Sequence, residues 1–255
     1  MDNPETPIIA QESRTPARAL PGWLAGALGL FLVISLPAFL ILTSVRIVMS
    51  QAFLRLEYNR PGFPVDPFGF TKADRLRYAP YAVRYLLNNA GISYLSSLTF
   101  DNGSPLFTER ELQHMHDVKH VTRVAFRVHL ILGLALAAAL ILLPRRRDTL
   151  RVLWRGLSDG AILAISLIAA LVILALTAWN FFFDNFHRIL FKGDSWEFST
   201  SDSLIRLFPQ QFWFDAALTI GFLTLLGAAL IITGTWVWEH RLSTLLDSKP
   251  PSTGS

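Results

Sequence analysis

Four long apolar runs constrain the fold of this chain more than any other feature. They cover residues of about 22–44, 125–143, 161–183 and 216–238, and each approaches the roughly 20 residues that a helix needs to cross a bilayer. Hydrophobic residues make up 52% of the chain and charged residues only 16%, so an ordinary soluble domain is excluded. We predict an all-α membrane protein whose four transmembrane helices form one domain over residues 21–240.

The two ends of the chain differ from this domain in composition. Residues 1–20 are polar and proline-containing, and the tail is rich in Pro and Ser after Leu246. We predict a disordered cytoplasmic N-terminus over 1–20 and a cytoplasmic, partly disordered tail over 241–255. The first apolar run is longer than the apolar region of a signal peptide and lacks a clean cleavage site, so we interpret it as an uncleaved signal anchor.

The short connection between the second and third runs indicates the orientation of the protein. It carries Arg145, Arg146, Arg147, Arg151 and Arg155. The positive-inside rule places this connection in the cytoplasm, which leaves both termini inside and makes 46–124 and 184–215 outer loops. The net charge of +4 suits anionic lipid surfaces, and we expect membrane lipids rather than nucleic acid as partners.

The first outer loop is long enough to fold into a small extracytoplasmic cap. Thr71 and Asp74 have the spacing of a capping box, which predicts a helix through Asn89 that Pro80 should kink or split. Beyond it, residues 92–100 and 105–107 flank Asp101-Asn102-Gly103-Ser104, and Asn-Gly favours a tight hairpin turn. We therefore predict an α+β cap.

The second outer loop is short and crowded with aromatic residues. Nine phenylalanines lie between Phe181 and Phe214, together with Trp196 and Trp213. Aromatic side chains at this density are typical of the membrane interface, so we expect the loop to lie along the headgroups.

Three of the six histidines lie just before the second apolar run, on a segment with a clear helix start. Thr108 and Glu111 form a second capping box, so a helix should begin at about Glu109 and continue into the membrane. His114 lies about 15 Å before Val124 on such a helix, which is headgroup depth.

His114 and His187, one from each outer loop, are candidates for an acid–base pair. The second and third runs are joined by a short inner connection, so we expect them to be neighbours that bring the two imidazoles together. Histidine titrates near neutrality and can act as base or acid. Asp117 lies one turn after His114 and could orient its ring, directly or through a short network. Ordinary hydrogen-bonded surface histidines are the alternative interpretation.

A metal site is a competing interpretation. His116 and His120 are four residues apart and could supply two zinc ligands from one helix face. The HExxH motif is absent, however, and Lys119 places a cation beside these rings. The chain contains no Cys, which excludes disulfides, a thiol nucleophile and thiolate metal ligands. We predict neither a metal nor a cofactor.

Several segments together resemble a known family of bacterial four-span membrane proteins, the lipoprotein intramolecular transacylases. The segments are 108–119 (Thr-Glu-Arg-Glu-Leu-Gln-His-Met-His-Asp-Val-Lys), 186–191 (Phe-His-Arg-Ile-Leu-Phe), 194–196 (Asp-Ser-Trp) and 202–209 (Asp-Ser-Leu-Ile-Arg-Leu-Phe-Pro). The resemblance extends from the first apolar run to the fourth. His116 and His120 fall at positions that vary in the family, which further disfavours the metal interpretation.

The resemblance implies an activity and a set of site residues. The sn-2 acyl chain of a lipoprotein's diacylglyceryl-modified N-terminal Cys would move to the α-amino group of that Cys, giving a lyso-form lipoprotein. The enzyme would be an intramolecular O-to-N acyltransferase of the bacterial cell membrane, working at the outer leaflet on diacylglyceryl-modified lipoproteins. The catalytic candidates are His114, His187 and Asp117. The supporting candidates are Glu111, Lys119, Asp184, Trp196, Asp202 and Arg206.

The role of each supporting residue is open at this point. Lys119 or Arg206 could stabilise an oxyanion, whereas Asp202 could simply cap a short helix that begins near Ser203. Two other functions also stay open. One is a metal-dependent membrane hydrolase acting on lipids, and the other is a non-catalytic lipid-binding or assembly protein that uses the aromatic loop as an anchor.

Overall fold

The computed structural model describes residues 21–145, 147–193 and 195–247 of the chain. The predictions made for residues 1–20 and for the last part of the tail therefore lie outside the described residues. So do Arg146 of the arginine-rich connection and Asp194 of the Asp-Ser-Trp segment.

All the regular secondary-structure elements of the described residues are helices. In chain order the helices are α1 (Gly22–Val48), α2 (Gln51–Asn59), α3 (Lys72–Leu87), α4 (Ser93–Ser96), α5 (Glu109–Leu142), α6 (Arg147–Thr177), α7 (Trp179–Leu190), α8 (Ser203–Leu207) and α9 (Gln210–Asp247). A single 3-10 turn, Leu143–Arg145, joins α5 to α6. Four helices, α1, α5, α6 and α9, are long and apolar enough to cross a membrane, which confirms the predicted number of spans.

The membrane core is built by α1, α6 and α9, which pack on one another. Glycines permit the closest of these approaches: a Cβ at Gly156 would lie 2.8 Å from the Cβ of Leu32, and one at Gly160 would lie 3.1 Å from the Leu32 carbonyl oxygen. α5 stands at the edge, where it packs on α1, and its apolar segment is the least buried of the four. Most of that segment therefore faces lipid.

A second hydrophobic core lies beyond the spans and forms a helical cap. Leu54, Tyr78, Tyr85 and Leu95 from the first outer loop pack there with Leu207 from the second. The ends of α5 and α9 complete it through residues such as Met115 and Phe212. The cap therefore uses both outer loops, whereas we predicted it from the first loop alone.

The predicted α+β character of the cap is wrong, because no strand forms in the described residues. The turn itself is present, with Gly103 at φ +83° and the Phe100 amide donating to Ser104 O at 2.9 Å. Only one isolated bridge, between Thr99 and Pro105, follows from it. The preceding residues form α4 instead, because Leu95 is fully buried in the cap core. Tertiary packing overrides the local hairpin signal there.

The predicted third span, 161–183, also differs from the structure at its outer end. α6 stops at Thr177, and after a break at Ala178 the aromatic stretch forms the separate helix α7. α7 exposes Phe181 and Ile189, which is the pattern of a helix lying in the membrane interface. In the cap, α3 runs through Pro80 without splitting.

Candidate active site

The structure brings His114 and His187 together. His114 lies on the second turn of α5 and His187 lies near the end of α7; their ring centroids are 6.4 Å apart and their planes differ by 27°. At this separation the two imidazoles belong to one site.

The two histidines meet for a different reason from the one we predicted. Among the described helices, α5 and α6 do not pack extensively; α1 contacts both of them. Instead, α6 ends at Thr177, and after the break at Ala178 the separate helix α7 carries His187 at the cap end of the bundle. α5 has 34 residues and is therefore roughly 51 Å long, so about 21 Å of it, about two fifths of its length, extends beyond 30 Å of hydrocarbon. The two rings therefore meet at the membrane surface, below the cap.

Aromatic rings enclose the pair. Phe191 and Phe198 contact the His114 ring edge-on, with centroids 5.0 and 5.3 Å away. Trp196 lies with its ring centroid 5.0 Å from that of His187, and Phe183 lies at 4.1 Å. An apolar lining of this kind lowers the local dielectric and strengthens any polar interaction made inside.

The tautomer of neutral His187 is determined by a backbone contact. Its Nδ1 lies 2.8 Å from the Phe183 carbonyl oxygen, which can only accept, so Nδ1 carries the proton and donates it. Nε2 then holds the free lone pair. Burial lowers the pKa of His187, while the Phe183 carbonyl and the nearby Asp184 carboxylate oppose this shift. The ring is therefore a neutral proton acceptor at physiological pH.

His114 is held differently. The residue is only 9% exposed, and its Nδ1 is buried with no hydrogen-bond partner in the described part of the chain. Asp117 does not hydrogen-bond to it; the Asp117 carboxylate accepts from Gln113 Nε2 at 3.1 Å. The Asp117 charge therefore reaches His114 only through space, rather than through the direct hydrogen bond that we considered.

Further buried polar atoms without a partner lie beside the pair. Within the described residues, the Trp196 indole Nε1 and the Ser195 hydroxyl are buried and make no hydrogen bond. An unsatisfied buried donor destabilises a protein by about 1–3 kcal/mol and is uncommon. Together with His114 Nδ1, these atoms indicate a site whose polar partner arrives with a ligand.

Glu111 joins the site helix to the second outer loop. Its carboxylate is completely buried; Oε2 accepts from the Thr108 amide at 2.7 Å, and Oε1 accepts from the Leu204 amide at 2.6 Å. Glu111 thus caps its own helix as predicted and also caps α8, 93 residues further along the chain. Asp202 occupies the N-cap position of α8, but its side chain accepts from the Ser199 amide instead.

We expect Glu111→Gln to lower the free energy of unfolding by about 1–3 kcal/mol, because the amide NH₂ would face a backbone donor and leave it unpaired. Equilibrium unfolding in mixed micelles, followed by tryptophan fluorescence, measures this change. Glu109→Gln is the matched control, since Glu109 is exposed on the same helical turn. Equal stability of the two variants would contradict the role of Glu111 as a cap shared by two helices.

Lys119 and Arg206 form hydrogen bonds or ion pairs with groups away from the histidines. Lys119 Nζ donates to the Ala90 carbonyl at 2.6 Å and lies 3.8 Å from the centre of the Tyr85 ring. Arg206 pairs with the buried Asp66 carboxylate at 3.1 Å. Both cations hold the cap together, so neither is positioned to contact a group between the two imidazoles.

His116 and His120 do not join the pair. The His116 side chain is 65% exposed beside Asp117, and His120 is exposed as well. In the part of the chain that the structure describes, no three His, Cys, Asp or Glu side chains come together as a group that could hold a metal ion.

The sequence did not single out Phe191, Phe198 or Ser195 as site residues. Phe191 and Ser195 lie within the segments 186–191 and 194–196 that we did identify, and Phe198 lies two residues beyond the second, but nothing distinguishes them from the other residues of the loop. Their roles depend on which rings fold over His114, and this is decided by contacts between distant parts of the chain.

The fold and the site define a helical, multi-pass membrane protein with a histidine pair beside its cap. The family model for the lipoprotein intramolecular transacylase Lit matches residues 30–213, and the chain belongs to this family. An uncharacterised protein of Aquifex aeolicus (strain VF5) is 34% identical over 208 residues, which cover 81% of this chain and 93% of that protein.

Solved structures show the same fold. The membrane integral lipoprotein intramolecular transacylase Lit from Bacillus cereus matches with a TM-score of 0.69 at 20% identity, covering 89% of this chain and all of the solved chain (100%). A form of that protein with one histidine replaced by arginine gives a TM-score of 0.59 over 87% of this chain and 96% of the solved one. At this identity the likeness concerns the fold.

Proposed function

We propose that this protein moves the sn-2 acyl chain of a lipoprotein's diacylglyceryl-Cys to the α-amino group of the same Cys. One observation carries the proposal: the ring centroids of two histidines lie 6.4 Å apart, and aromatic side chains enclose the pair. Membership in the transacylase family supports the same reaction.

The chemistry needs no nucleophile from the protein. The substrate ammonium, with a pKa near 8, first loses a proton. The free amine then attacks the sn-2 ester carbonyl, an N–C bond forms, the acyl C–O bond breaks, and one proton passes from nitrogen to the glycerol oxygen. Holding the amine and the ester together can lower the barrier by roughly 7–11 kcal/mol. The enzyme has to orient both groups and to move protons.

We assign the proton acceptor to His187. Its Nε2 carries the lone pair because Nδ1 donates to the Phe183 carbonyl, and this hydrogen bond also makes the ring more basic. His114 lies beside it, where its neutral ring can relay the proton from the His187 imidazolium to the departing glycerol oxygen, accepting it at one ring nitrogen as it releases a proton from the other. The Asp184 carboxylate favours the imidazolium that forms on His187.

Trp196 and Ser195 are our candidates for the oxyanion site. Both present buried donors with no partner in the described chain, and Trp196 packs directly on His187. Donors that are already desolvated and fixed need no reorganisation when negative charge develops on the ester oxygen. This proposal replaces Lys119 and Arg206, which are occupied elsewhere.

We further propose that the site faces the outer leaflet of the bacterial cytoplasmic membrane. The arginine-rich connection between α5 and α6 favours a cytoplasmic position for the opposite end of the bundle, with both termini inside. A diacylglyceryl-modified Cys anchored in the outer leaflet would then place its ester at the depth of the two histidines.

Mass spectrometry of a lipoprotein's N-terminal lipopeptide tests this reaction. A host that makes only the diacyl form is compared with and without expression of this chain. Because the transfer is an isomerisation, we expect an unchanged total mass and fragment ions that carry one acyl group on the Cys amine. Loss of one whole acyl group would instead indicate hydrolysis, and unchanged fragments with a correctly inserted protein would contradict the proposal.

A further inference from the structure

A groove lined by basic residues runs between the C-terminal end of α3 and the face of α5 that is remote from the histidine pair. Two cavities of about 360 and 410 Å³ form it. Asn89 and Arg123 line both cavities, so the two adjoin, and we call them together the α3–α5 groove. Nine residues at 3.6 per turn place Arg123 on the opposite side of α5 from His114.

The groove contains several positive charges that no acidic side chain neutralises in the described residues. Lys119, Arg123 and Arg127 follow one another at four-residue spacing along one face of α5 and line it. In the described chain none of the three forms a salt bridge, and no acidic residue lines either cavity. Arg123 Nη2 makes one long hydrogen bond, 3.4 Å to the Asn88 carbonyl, and Lys119 is held by Ala90 O. Unbalanced cations at a membrane surface favour an anionic ligand.

The lower end of the groove changes from basic to apolar. Leu86, Phe126 and Leu130 line it there, and along the same side of α5 Leu130 is 60% and Leu134 is 64% exposed. From Lys119 to Leu130 the helix rises about 16 Å, which is the step from headgroup depth into hydrocarbon. The basic part of the groove therefore lies at the depth of a lipid headgroup, and the apolar part lies at the depth of an acyl chain.

We propose that the α3–α5 groove binds the phosphate headgroup of an anionic glycerophospholipid, with one acyl chain lying against Leu130 and Leu134. Arg123 and Arg127 hold the phosphate, since planar guanidinium groups bind phosphate oxygens in pairs. The ligand differs from the proposed substrate, because a diacylglyceryl-Cys carries no phosphate. A lipid in this position would contact both α5 and the cap, next to Ala90, whose carbonyl accepts the hydrogen bond from Lys119.

Native mass spectrometry of the purified full-length chain tests the proposal. Phosphatidylglycerol, phosphatidylcholine and diacylglycerol are each titrated onto the protein in detergent. We expect preferential retention of phosphatidylglycerol, and a loss of its affinity by about 30-fold in the R123Q/R127Q variant, since each cation near a lipid surface contributes about fivefold. Lys119 stays unchanged because its buried ammonium also supports the cap.

The R55Q/R77Q variant is the matched control, because it removes two positive charges from exposed positions outside the groove. It should retain phosphatidylglycerol like the wild-type protein. Equal losses in the two double variants, or equal retention of phosphatidylcholine and phosphatidylglycerol, would overturn the proposal. Full displacement of the lipid by inorganic phosphate would assign the groove to free phosphate and would also overturn it.

Discussion

Replacing either His114 or His187 by alanine is expected to reduce the rate of acyl transfer by about 10²–10⁴-fold, the usual contribution of a positioned acid or base. The two rings lie side by side, and no other titratable side chain is hydrogen-bonded to either ring in the described residues. The rate is measured from the appearance of N-acylated lipopeptide in membranes that contain equal amounts of each variant.

The double variant H114A/H187A distinguishes a pair that works as a unit from two independent residues. If both imidazoles serve the same proton movement, the double variant should be no more than a few-fold slower than either single variant. Independent roles would multiply the two losses. His116→Ala is the matched control, since this exposed histidine lies two residues away and should transfer at the normal rate. A normal rate in His114→Ala or His187→Ala would contradict the catalytic assignment.

Trp196→Phe is expected to slow transfer by about 10²–10³-fold, the loss that follows from removing one oxyanion donor. Phenylalanine keeps an aromatic ring packed against His187 and deletes only the indole N–H that has no partner in the described chain. Because the missing interaction forms with the negative charge of the transition state, the loss should appear in kcat, with KM little changed.

Trp213→Phe is the matched control, because it makes the same change from indole to phenyl at another position. Trp213 is 43% exposed and packs on Phe208 and Phe212, away from the histidines. Its replacement should leave kcat unchanged. If Trp196→Phe also transfers at the normal rate, Trp196 serves only to pack against His187. A rise in KM with an unchanged kcat would likewise contradict the oxyanion role, because it would indicate uniform binding of substrate and transition state.

Local patterns were sufficient to predict where several helices begin. Both capping boxes, Thr71 with Asp74 and Thr108 with Glu111, are formed in the structure. α8 begins at Ser203, directly after the predicted cap position. The two capping boxes depend on residues within one turn, whereas the cap of α8 comes from Glu111 rather than from Asp202.

Predictions that depended on which elements are neighbours were less accurate. The hairpin signal at Asn102-Gly103 forms its turn, but packing of Leu95 converts the strand before it into α4. The histidines converge through α7 rather than through direct packing of α5 on α6. Lys119 and Arg206, chosen for their charge, have partners that only the folded cap supplies.

By itself, the sequence of this protein determined four apolar helices, the capping boxes of α3 and α5 and the two candidate histidines, because hydrophobic length and short-range hydrogen bonding are properties of consecutive residues. Only the tertiary structure decided which polar groups share a site. Glu111 meets Leu204 across 93 residues, and Trp196 and Phe198 close over the histidines from a loop with no regular pattern. Such contacts depend on how distant parts of the chain pack together, and they cannot be predicted from a single sequence.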